Sequence, residues 1–584
     1  MKDDGHTMTE EQISLVKRAT GIHGLDAVTR GGLPRSSATL VIGDPGCGKT
    51  VLGLQILARA AERGEGGVMV SFEESRAQVL RDAGSFSWGP VLEDAAHCEI
   101  VDARRNASTH VSGSFDIDGL LAALGGSVER LNATWIVLDG IDQLLRLQPD
   151  TQTAVDQVVQ INQWCEDRGL TMVITGKSTR NHAASPDHLA GIEFMLSTVI
   201  VLSTRVAAQR LHRQFRIAKY RGTGHVTDEV PLVIDDGGIH LPHDTMPDSL
   251  EVQALTERVG TGVSRLDDVL DGGVYRGSTT LISGQPGTAK TSFAAAFAQA
   301  AAERGERVLF ISFDEFAAQI VRNVGTVGID LQPHIDSGQL MIHARAAWTS
   351  LVEEHFLAVR RLIETFAPQC LVIDPASALL KASDAESAFE AIERLITRTR
   401  TEGITTVLTS LTENDDPVGE TTLSHTSTLA DTWIVLRYAV HGGERNRALS
   451  VVKSRGTSHS NQVREVLMSS GGLELADVFQ YGSEVLMGTA RLQRESEEST
   501  RRRQQHQERS ERRRQLQKRI DQARAEARQA GEEVEHLLEA MQQEDAAVAD
   551  SDRDRDLHQQ QIVRRREAGR SDRGGASGHE GDQT

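Results

Sequence analysis

The chain has 584 residues and a formal charge of −20, from 63 Lys and Arg against 83 Asp and Glu. This length predicts about three or four domain-sized units, and the acidic balance argues against a protein that wraps duplex DNA, because phosphate binding needs clustered Lys and Arg. The four widely separated cysteines and the absence of long apolar runs predict a cytoplasmic protein without structural zinc, disulfides, a signal peptide or a membrane span.

Predicted strands and helices alternate along the first half of the chain. Residues 1–11 are polar, and we expect them to be flexible. A short apolar run at 38–42 ends at Gly43, and helix-forming residues follow Lys49. Further apolar runs that predict strands lie at 67–72, 135–138 and 171–175. This alternation predicts an α/β fold with an open, mostly parallel sheet that is covered on both faces.

The landmarks of the first half recur in the second half at a nearly constant offset. Residues 20–26 recur at 261–267 and the loop 43–50 recurs at 284–291, both 241 positions later. Three other matched pairs follow in the same order, at offsets of 241, 235 and 234: 73–74 with 314–315, 135–139 with 370–374, and 219–223 with 453–457. Such an ordered set of matches predicts a tandem duplication, with lobes at 12–248 and 249–488.

The end of the chain differs in composition from both lobes. Residues 491–584 are rich in Arg, Gln and Glu and hold no aromatic residue, so they cannot bury a core of their own. Part of this stretch has the alternating spacing of four and three that marks a coiled-coil seam, at Leu516, Ile520, Ala523, Ala527, Ala530, Val534, Leu537 and Met541. We interpret 489–570 as a charged helical tail that is solvated, paired in a coiled coil or, through its Arg clusters, in contact with nucleic acid. Residues 571–584 are expected to be disordered.

Each lobe carries a glycine-rich loop between a predicted strand and a predicted helix. This is the Walker A pattern, in which backbone N–H groups surround phosphates, a lysine adds positive charge and the next Thr reaches Mg²⁺. The predicted ATP-binding residues are Gly46, Cys47, Gly48, Lys49, Thr50 and Val51, and in the second lobe Gly287, Thr288, Ala289, Lys290, Thr291 and Ser292. Ala289 stands where the motif has glycine, which narrows the allowed backbone but keeps the N–H donor. A structural turn is the alternative reading.

A carboxylate ends one apolar run in each lobe, at Asp139 and Asp374. A carboxylate at the end of a strand beside the phosphate loop holds Mg²⁺ together with the loop hydroxyl, which is the Walker B role. We therefore predict Mg²⁺ sites at Thr50 with Asp139 and at Thr291 with Asp374. A helix-capping Asp is the alternative.

A second set of acids follows another predicted strand, 24 residues after each loop lysine. ATP hydrolysis needs a carboxylate that orients and deprotonates water, so Glu73, Glu74, Asp314 and Glu315 are predicted to be catalytic. The periodicity does not choose between the members of each pair, and a solvated acidic turn is the alternative. The shorter Asp314 side chain predicts different rates in the two lobes.

Cations recur late in each lobe, at Lys219 and Arg221 and again at Lys453 and Arg455. In the predicted sheet these side chains lie beyond easy reach of their own phosphate loop. We predict that they contact the γ-phosphate of a neighbouring subunit, which requires a ring assembly. A charge pair on a surface β-hairpin is the alternative.

The duplicated Walker loops, together with the motifs at 71–78, 219–225 and 453–459, resemble the KaiC family of RecA/RadA/DnaB-type P-loop ATPases. The resemblance covers about residues 12–488. It implies tandem RecA-like domains in a double-ring hexamer with ATP at the subunit interfaces. It also implies that the acidic pairs are the catalytic carboxylates and that the late cations contact the adjacent subunit's nucleotide.

Residues 422–432 resemble the autophosphorylation segment of that family's second lobe. By this resemblance Ser427 and Thr428 are the phosphoacceptors, and Thr422 is the associated threonine. A hydroxyl-rich loop that caps a helix or turn is the plain alternative. The departures from the family pattern are Thr426, Ala430 and Asp314.

The leading hypothesis is a hexameric ATPase and Ser/Thr autokinase that uses ATP and Mg²⁺ and acts as a signalling or timing switch. The partners expected are other copies of the chain and regulatory proteins that bind the tail, with no nucleic acid and no membrane. One alternative is a RadA/DnaB-like DNA-dependent ATPase, which the acidic lobes disfavour. The other is a scaffold in which ATP only holds the ring together.

Overall fold

The structure is a computed structural model that describes residues 15–104, 117–145, 150–177, 188–207, 210–243, 255–412, 426–441, 443–460, 462–481 and 484–567. The chain divides into two compact units, residues 1–478 and residues 479–584. The first unit contains both sheets of the repeat. The predictions made for residues 1–11, 571–584 and Thr422 lie outside the described residues.

The first lobe alternates strands and helices, as the apolar runs predict. Its strands are β1 (Lys17–Arg18), β2 (Leu33–Pro34), β3 (Ser37–Gly43), β4 (Gly66–Ser71), β5 (Cys98–Asp102), β6 (Ala133–Asp139), β7 (Thr171–Lys177), β8 (Thr198–Ala207), β9 (Arg210–Tyr220), β10 (Val230–Asp235) and β11 (Gly238–His240). Its helices are α1 (His23–Val28), α2 (Lys49–Glu62), α3 (Arg76–Ala83), α4 (Ile117–Leu131), α5 (Ile141–Leu145), α6 (Thr151–Asp167) and α7 (His188–Met195), with a 3-10 helix at Gly89–Glu93.

The large strands of this lobe form one nine-stranded sheet in the order β11-β10-β9-β8-β3-β7-β6-β4-β5. The six strands from β8 to β5 are parallel, and β9, β10 and β11 continue the sheet as antiparallel strands. The carboxyl ends of β3, β7, β6 and β4 therefore meet at one edge of the sheet, where the phosphate loop follows β3.

The second lobe repeats this architecture. Its strands are β12 (Arg258–Val259), β13 (Val274–Tyr275), β14 (Thr279–Gly284), β15 (Val308–Ser312), β16 (Leu340–Ala344), β17 (Cys370–Asp374), β18 (Thr405–Leu411), β19 (Thr432–His441), β20 (Glu444–Ser454), β21 (Arg464–Ser469) and β22 (Gly472–Asp477). Its helices are α8 (Ser264–Val269), α9 (Lys290–Glu303), α10 (Ala317–Gly325), α11 (Gln332–Asp336), α12 (Val352–Phe366) and α13 (Ala385–Thr401), with 3-10 helices at Ala347–Thr349, Ala376–Lys381 and Thr426–Thr428. The sheet order is β16-β15-β17-β18-β14-β19-β20-β21-β22. The predicted fold class, tandem α/β domains with mostly parallel sheets, is confirmed.

Each sheet is buried on both faces, which explains why its central strands are continuous apolar runs. Successive side chains of β6 show this directly. Trp135 and Val137 pack with α2 in one hydrophobic cluster, whereas Ile136 and Leu138 pack in a second cluster on the opposite face. The second lobe has the same two clusters around β17. Burial on both faces fixes the strand register and so the position of every residue at the carboxyl edge.

The two lobes contact each other through arginine side chains. Arg361 of α12 forms an ion pair with Asp235 of β10 at 3.0 Å, and Arg394 of α13 donates to the carbonyl of Pro242 at 2.8 Å. In the other direction Arg210, the first residue of β9, donates to the carbonyls of Trp348 and Ser350.

The second unit consists of a short hairpin and one long helix. Strands β23 (Phe479–Tyr481) and β24 (Glu484–Leu486) are antiparallel, and helix α14 follows as Gly488–Glu567, 80 residues in length. At 1.5 Å per residue the helix is about 120 Å long. The predicted C-terminal helix is therefore present. None of the described helices combines the length and the apolar character that crossing a membrane requires.

Candidate ATP sites

The phosphate loop of the first lobe joins β3 to α2 at the carboxyl edge of the sheet. Gly46 and Gly48 have φ values of +78° and +105°, in the region that favours glycine. A Cβ atom on Gly48 would lie 2.8 Å from Cδ1 of Ile234. Since Gly48 is the N-cap of α2, no side chain covers the first N–H groups of the helix. These free donors and the helix dipole fit an anion such as phosphate.

The lysine and threonine of this loop each bond to groups at the carboxyl edge of the sheet. Lys49 Nζ donates to the carbonyls of Gly43 and Asp44, at 2.8 and 2.9 Å. Thr50 Oγ1 donates to both carboxylate oxygens of Asp139, each at 3.1 Å. The lysine charge thus sits beside the loop, and the hydroxyl and carboxylate lie together.

Asp139 is buried at the end of β6, with 4% of its surface exposed. Burial raises the pKa of Asp139, although hydrogen bonds from Thr175 and Thr50 oppose the rise. The Thr175 hydroxyl donates to Asp139 Oδ1 at 2.6 Å. A hydroxyl and a carboxylate are hard oxygen ligands of the kind that Mg²⁺ prefers, with water and phosphate oxygens as the others. The donor set at Thr50 and Asp139 therefore fits Mg²⁺.

The acidic pair of the first lobe lines the same cleft, which has a volume of about 480 Å³. Glu73 Oε1 lies 2.5 Å from Nζ of Lys177, at the end of β7. Burial alone would raise the pKa of Glu73, but hydrogen bonds from Lys177 and Gln143 outweigh it and hold the pKa below its usual value. Glu74 differs, because burial and nearby carboxylates raise its pKa. The pKa values of these two neighbouring carboxyl groups are therefore shifted in opposite directions within one cleft.

The second lobe rebuilds the phosphate loop around an alanine. Ala289 is the N-cap of α9, with φ +82° and ψ +22°, close to the +105° and +15° of Gly48. Lys290 Nζ donates to the carbonyls of Gly284 and Gln285, both at 2.9 Å, and burial lowers the pKa of Lys290 to about 8. The extra methyl group is therefore accommodated without a change of loop conformation.

The Mg²⁺ ligands predicted for the second lobe also lie together. Thr291 Oγ1 donates to Asp374 Oδ2 at 2.7 Å, and the Thr409 hydroxyl donates to Oδ1 of the same carboxylate. Burial raises the pKa of Asp374 against the effect of these hydrogen bonds. This is the arrangement of the first lobe, so the donor set again fits Mg²⁺.

The acidic pair of the second lobe has different partners. Asp314 lies 3.3 Å from Nζ of Lys381, and Glu315 accepts a hydrogen bond from Asn323 at 3.0 Å. The Lys381 side chain is 60% exposed, against 34% for Lys177. The two lobes therefore hold the first acid of each pair in unequal environments.

Two arginines that sequence reasoning missed contact the phosphate loops. Arg213 Nε donates to the carbonyl of Gly46 at 3.3 Å, and Arg447 Nε donates to the carbonyl of Gly287 at 3.1 Å. They are 234 positions apart, the same offset as the late Lys and Arg pairs. This repeat offset is the feature of the sequence that could have identified the two arginines as equivalent residues of the two lobes.

The predicted trans-acting cations do not join their own phosphate loops. Lys219 lies opposite Val199 in the sheet, toward the amino end of the parallel strands, whereas the loop follows their carboxyl end. Lys219 Nζ donates to the carbonyls of Glu193 and Phe194, at 3.0 and 2.9 Å, and Arg221 also donates to Phe194 at 3.4 Å.

The equivalent cations of the second lobe lie beside the predicted phosphoacceptors. Lys453 Nζ is 3.5 Å from the carbonyl of Ser427, and Arg455 pairs with Asp431 at 3.5 Å. Ser427 is partly buried and Thr428 is exposed. Both precede the amino end of β19, whereas Lys290 begins α9 at the opposite edge of the sheet. The roles of these residues stay predictions.

Two strand–loop–helix phosphate cradles, each with a Thr hydroxyl bonded to a buried Asp, define a protein with tandem P-loop ATPase domains. A family model described as "ATPase: KaiC" matches residues 18–245 and 259–478. The chain belongs to the KaiC ATPase family, as its resemblance predicts.

Curated relatives match most of the chain. The circadian clock protein KaiC2 of Synechocystis sp. (strain ATCC 27184 / PCC 6803 / Kazusa) is 35% identical over 503 residues, 84% of this chain and 87% of the relative. The circadian clock oscillator protein KaiC of Parathermosynechococcus lividus is 29% identical, over 83% of this chain and 90% of the relative. The circadian clock protein KaiC3 of the same Synechocystis strain is 29% identical, over 84% and 97%.

Proposed function

We propose that this KaiC-family ATPase hydrolyses Mg·ATP in both lobes, assembles as a homohexamer and phosphorylates its own second lobe. The observation that carries the proposal is the division of each lobe into two edges. One edge holds a phosphate loop with its Thr–Asp pair, and the other holds a Lys and Arg pair. Subunits arranged head to tail in a ring would bring one edge against the other.

In the first lobe we assign phosphate binding to the N–H groups at Gly46–Thr50 and to Lys49. Mg²⁺ held at Thr50 and Asp139 supplies charge neutralisation on the phosphates. The Glu73 and Glu74 carboxylates line the same cleft and are assigned to orienting and deprotonating the attacking water. The second lobe uses Lys290, Thr291 with Asp374, and the acids Asp314 and Glu315 in the same roles.

Self-phosphorylation follows from where the acceptor hydroxyls lie. Ser427 and Thr428 are on the opposite edge of the second lobe from Lys290, so ATP bound to a chain is remote from its own acceptors. We infer that transfer occurs between subunits: the acceptor oxygen bonds to the γ-phosphorus, the bond to the bridging oxygen of ADP breaks, and an acid of the neighbouring cleft takes the hydroxyl proton.

A mixing experiment tests assembly and transfer together. A Lys290→Ala chain keeps its acceptors but loses the second ATP site, and a Ser427→Ala/Thr428→Ala chain keeps the site but loses the acceptors. Mixed in Mg·ATP, the pair should place phosphate on Ser427 or Thr428 of the Lys290→Ala chain, as read by mass spectrometry. Each variant alone should stay unlabelled. Label on the Lys290→Ala chain alone would overturn transfer from the second site.

Sizing by light scattering is the companion measurement. We expect a hexamer with Mg·ATP and smaller species without it, together with release of inorganic phosphate. A chain that stays monomeric in saturating Mg·ATP and releases no phosphate contradicts the proposal. Single-stranded DNA should leave the turnover unchanged, in contrast to a DNA-dependent motor. We also propose a timing or signalling role with regulatory protein partners, because the curated relatives are named as clock proteins.

A further inference from the structure

Helix α14 carries an apolar seam that the chain itself leaves exposed. The seam consists of Leu516, Ile520, Ala523, Ala527, Ala530, Val534, Leu537 and Met541. Its five large side chains are between 46% and 65% exposed. A row of such side chains along one side of a long polar helix marks a surface that pairs with another helix.

The charges of α14 are separated along its length. Residues 501–520 hold nine Lys and Arg against two Asp and Glu, and residues 537–556 hold seven Asp and Glu against two Arg. Two copies packed in parallel would place like charges side by side along both stretches. Two copies packed antiparallel would place the basic stretch of each beside the acidic stretch of the other, which is the favourable arrangement.

The seam itself reads the same in both directions. If a second copy is reversed and the two are centred between Arg528 and Gln529, each seam residue meets another seam residue. The four kinds of layer are Leu516 with Met541, Ile520 with Leu537, Ala523 with Val534, and Ala527 with Ala530. Each layer joins an a position to a d position, as reversal of a heptad requires. Small residues at the centre allow close approach of the helices, and large residues seal both sides.

We propose that α14 pairs with α14 of a second copy as an antiparallel two-stranded coiled coil centred between Arg528 and Gln529. The contact is isologous, so both copies use the same surface. It joins one chain, or one ring of chains, to another through the tails. This contact uses residues of α14 alone and does not depend on the ATP sites.

Disulfide trapping in the full-length protein tests the direction and the register. The native cysteines are all buried, at Cys47, Cys98, Cys165 and Cys370. A disulfide between chains therefore forms through the engineered thiols on α14. We mix an Ala523→Cys chain with a Val534→Cys chain, after nuclease treatment that removes any bound nucleic acid. Under mild oxidation this mixture should give a disulfide-linked dimer. Neither chain should do so alone, because identical positions lie about 16 Å apart along an antiparallel pair.

The matched control uses the outer face of the same helix. Ala525→Cys mixed with Glu532→Cys has the same midpoint but lies away from the seam, so the yield should be at least several-fold lower. Linked dimers from Ala523→Cys alone would indicate a parallel pair and overturn the proposal. Equal yields from the seam and the control, or no linked dimer from the seam, would also overturn it.

A charge reversal gives a second, independent readout. In the proposed register Glu526 faces Glu533 of the other copy, a like-charged contact that occurs twice. Glu526→Lys should therefore raise the yield of the seam disulfide several-fold at low salt, and the gain should shrink at high salt because exposed charges are screened. A lower yield with Glu526→Lys would contradict this register.

Discussion

The Nζ atom of Lys177 lies 2.5 Å from Oε1 of Glu73, and the equivalent position of the second lobe is Leu411. Asp314, which repeats Glu73, is 3.3 Å from the more exposed Lys381 instead. The close and partly shielded Lys177 favours the charged form of Glu73. The two candidate ATP sites therefore differ in the cation that partners the first acid, although the conformations of their phosphate loops and their Thr–Asp hydrogen bonds are alike.

Removing the lysine should change the pH dependence of the first site. Since Lys177 helps to hold the pKa of Glu73 below its usual value, Lys177→Met should raise that pKa. The carboxylate then becomes protonated at higher pH. The acidic limb of the plot of phosphate-release rate against pH should therefore move to higher pH. The measurement uses a Lys290→Ala background, in which the second site is silent. Lys381→Met in that background is the control and should leave the limb in place.

The alanine of the second phosphate loop predicts a reciprocal pair of stability effects. Ala289 adopts φ +82°, where a non-glycine residue costs about 1–2 kcal/mol, partly offset by the lower chain entropy of alanine in the unfolded state. Ala289→Gly should therefore raise the thermal midpoint slightly. Gly48→Ala should lower it by more, because its Cβ also meets Ile234 at 2.8 Å. Scanning calorimetry checks both, and a lower midpoint for Ala289→Gly would contradict the strain argument.

The hydroxyl beside Asp139 predicts a Mg²⁺-specific defect. Thr50→Val keeps the shape of the side chain but removes the group that donates to the carboxylate, so turnover at the first site should fall by roughly 10²-fold in the Lys290→Ala background. Thr50→Ser keeps the hydroxyl and should stay within a few-fold. Turnover measured against Mg²⁺ concentration at fixed ATP distinguishes the Thr50→Val variant from the Thr50→Ser variant. Similar losses in both variants would point to packing and not to the metal.

A buried carboxyl group at the contact between the lobes predicts a pH-dependent stability. Glu353 is 6% exposed, and its Oε2 has no hydrogen-bond partner among the described residues. Burial raises its pKa, with His212 and Arg394 opposing the rise and Asp384 adding to it.

The sign of the effect follows from that direction. A raised pKa means that the native state favours the protonated form, so stability is full below the ordinary Glu value of 4.5 and falls as pH rises through the raised pKa. Glu353→Gln should stabilise by about 1–3 kcal/mol at pH 8 and by much less at pH 5. Thermal midpoints at the two pH values test this, with the exposed Glu364→Gln as control. An equal shift at both values would exclude titration as the cause.

Local patterns in the sequence were sufficient for the fold class and for the phosphate loops. A strand, a glycine-rich loop and a helix are consecutive, so the link from Gly43 to Lys49 needs no knowledge of the rest of the chain. The tandem α/β domains and the C-terminal helix are confirmed, and so is the family. The roles of the individual site residues stay predictions.

The partners of the acids were out of reach of sequence reasoning because they depend on sheet order. Glu73 and Lys177 are separated by 104 positions and meet because β4, β6 and β7 are neighbours in the sheet. No spacing along the chain reveals that order. The same holds for Thr175 and Thr409, whose hydroxyls hold the buried Asp139 and Asp374.

Strand β9 spans from the neighbouring lobe to the first phosphate loop. Its first residue, Arg210, donates hydrogen bonds to the carbonyls of Trp348 and Ser350 in the second lobe. Arg213 donates to the carbonyl of Gly46. The two arginines are three residues apart, which is roughly 10 Å along an extended strand. The segment around Trp348 and the rim of the first phosphate loop are therefore joined by one short stretch of extended backbone, so the position of one constrains the position of the other.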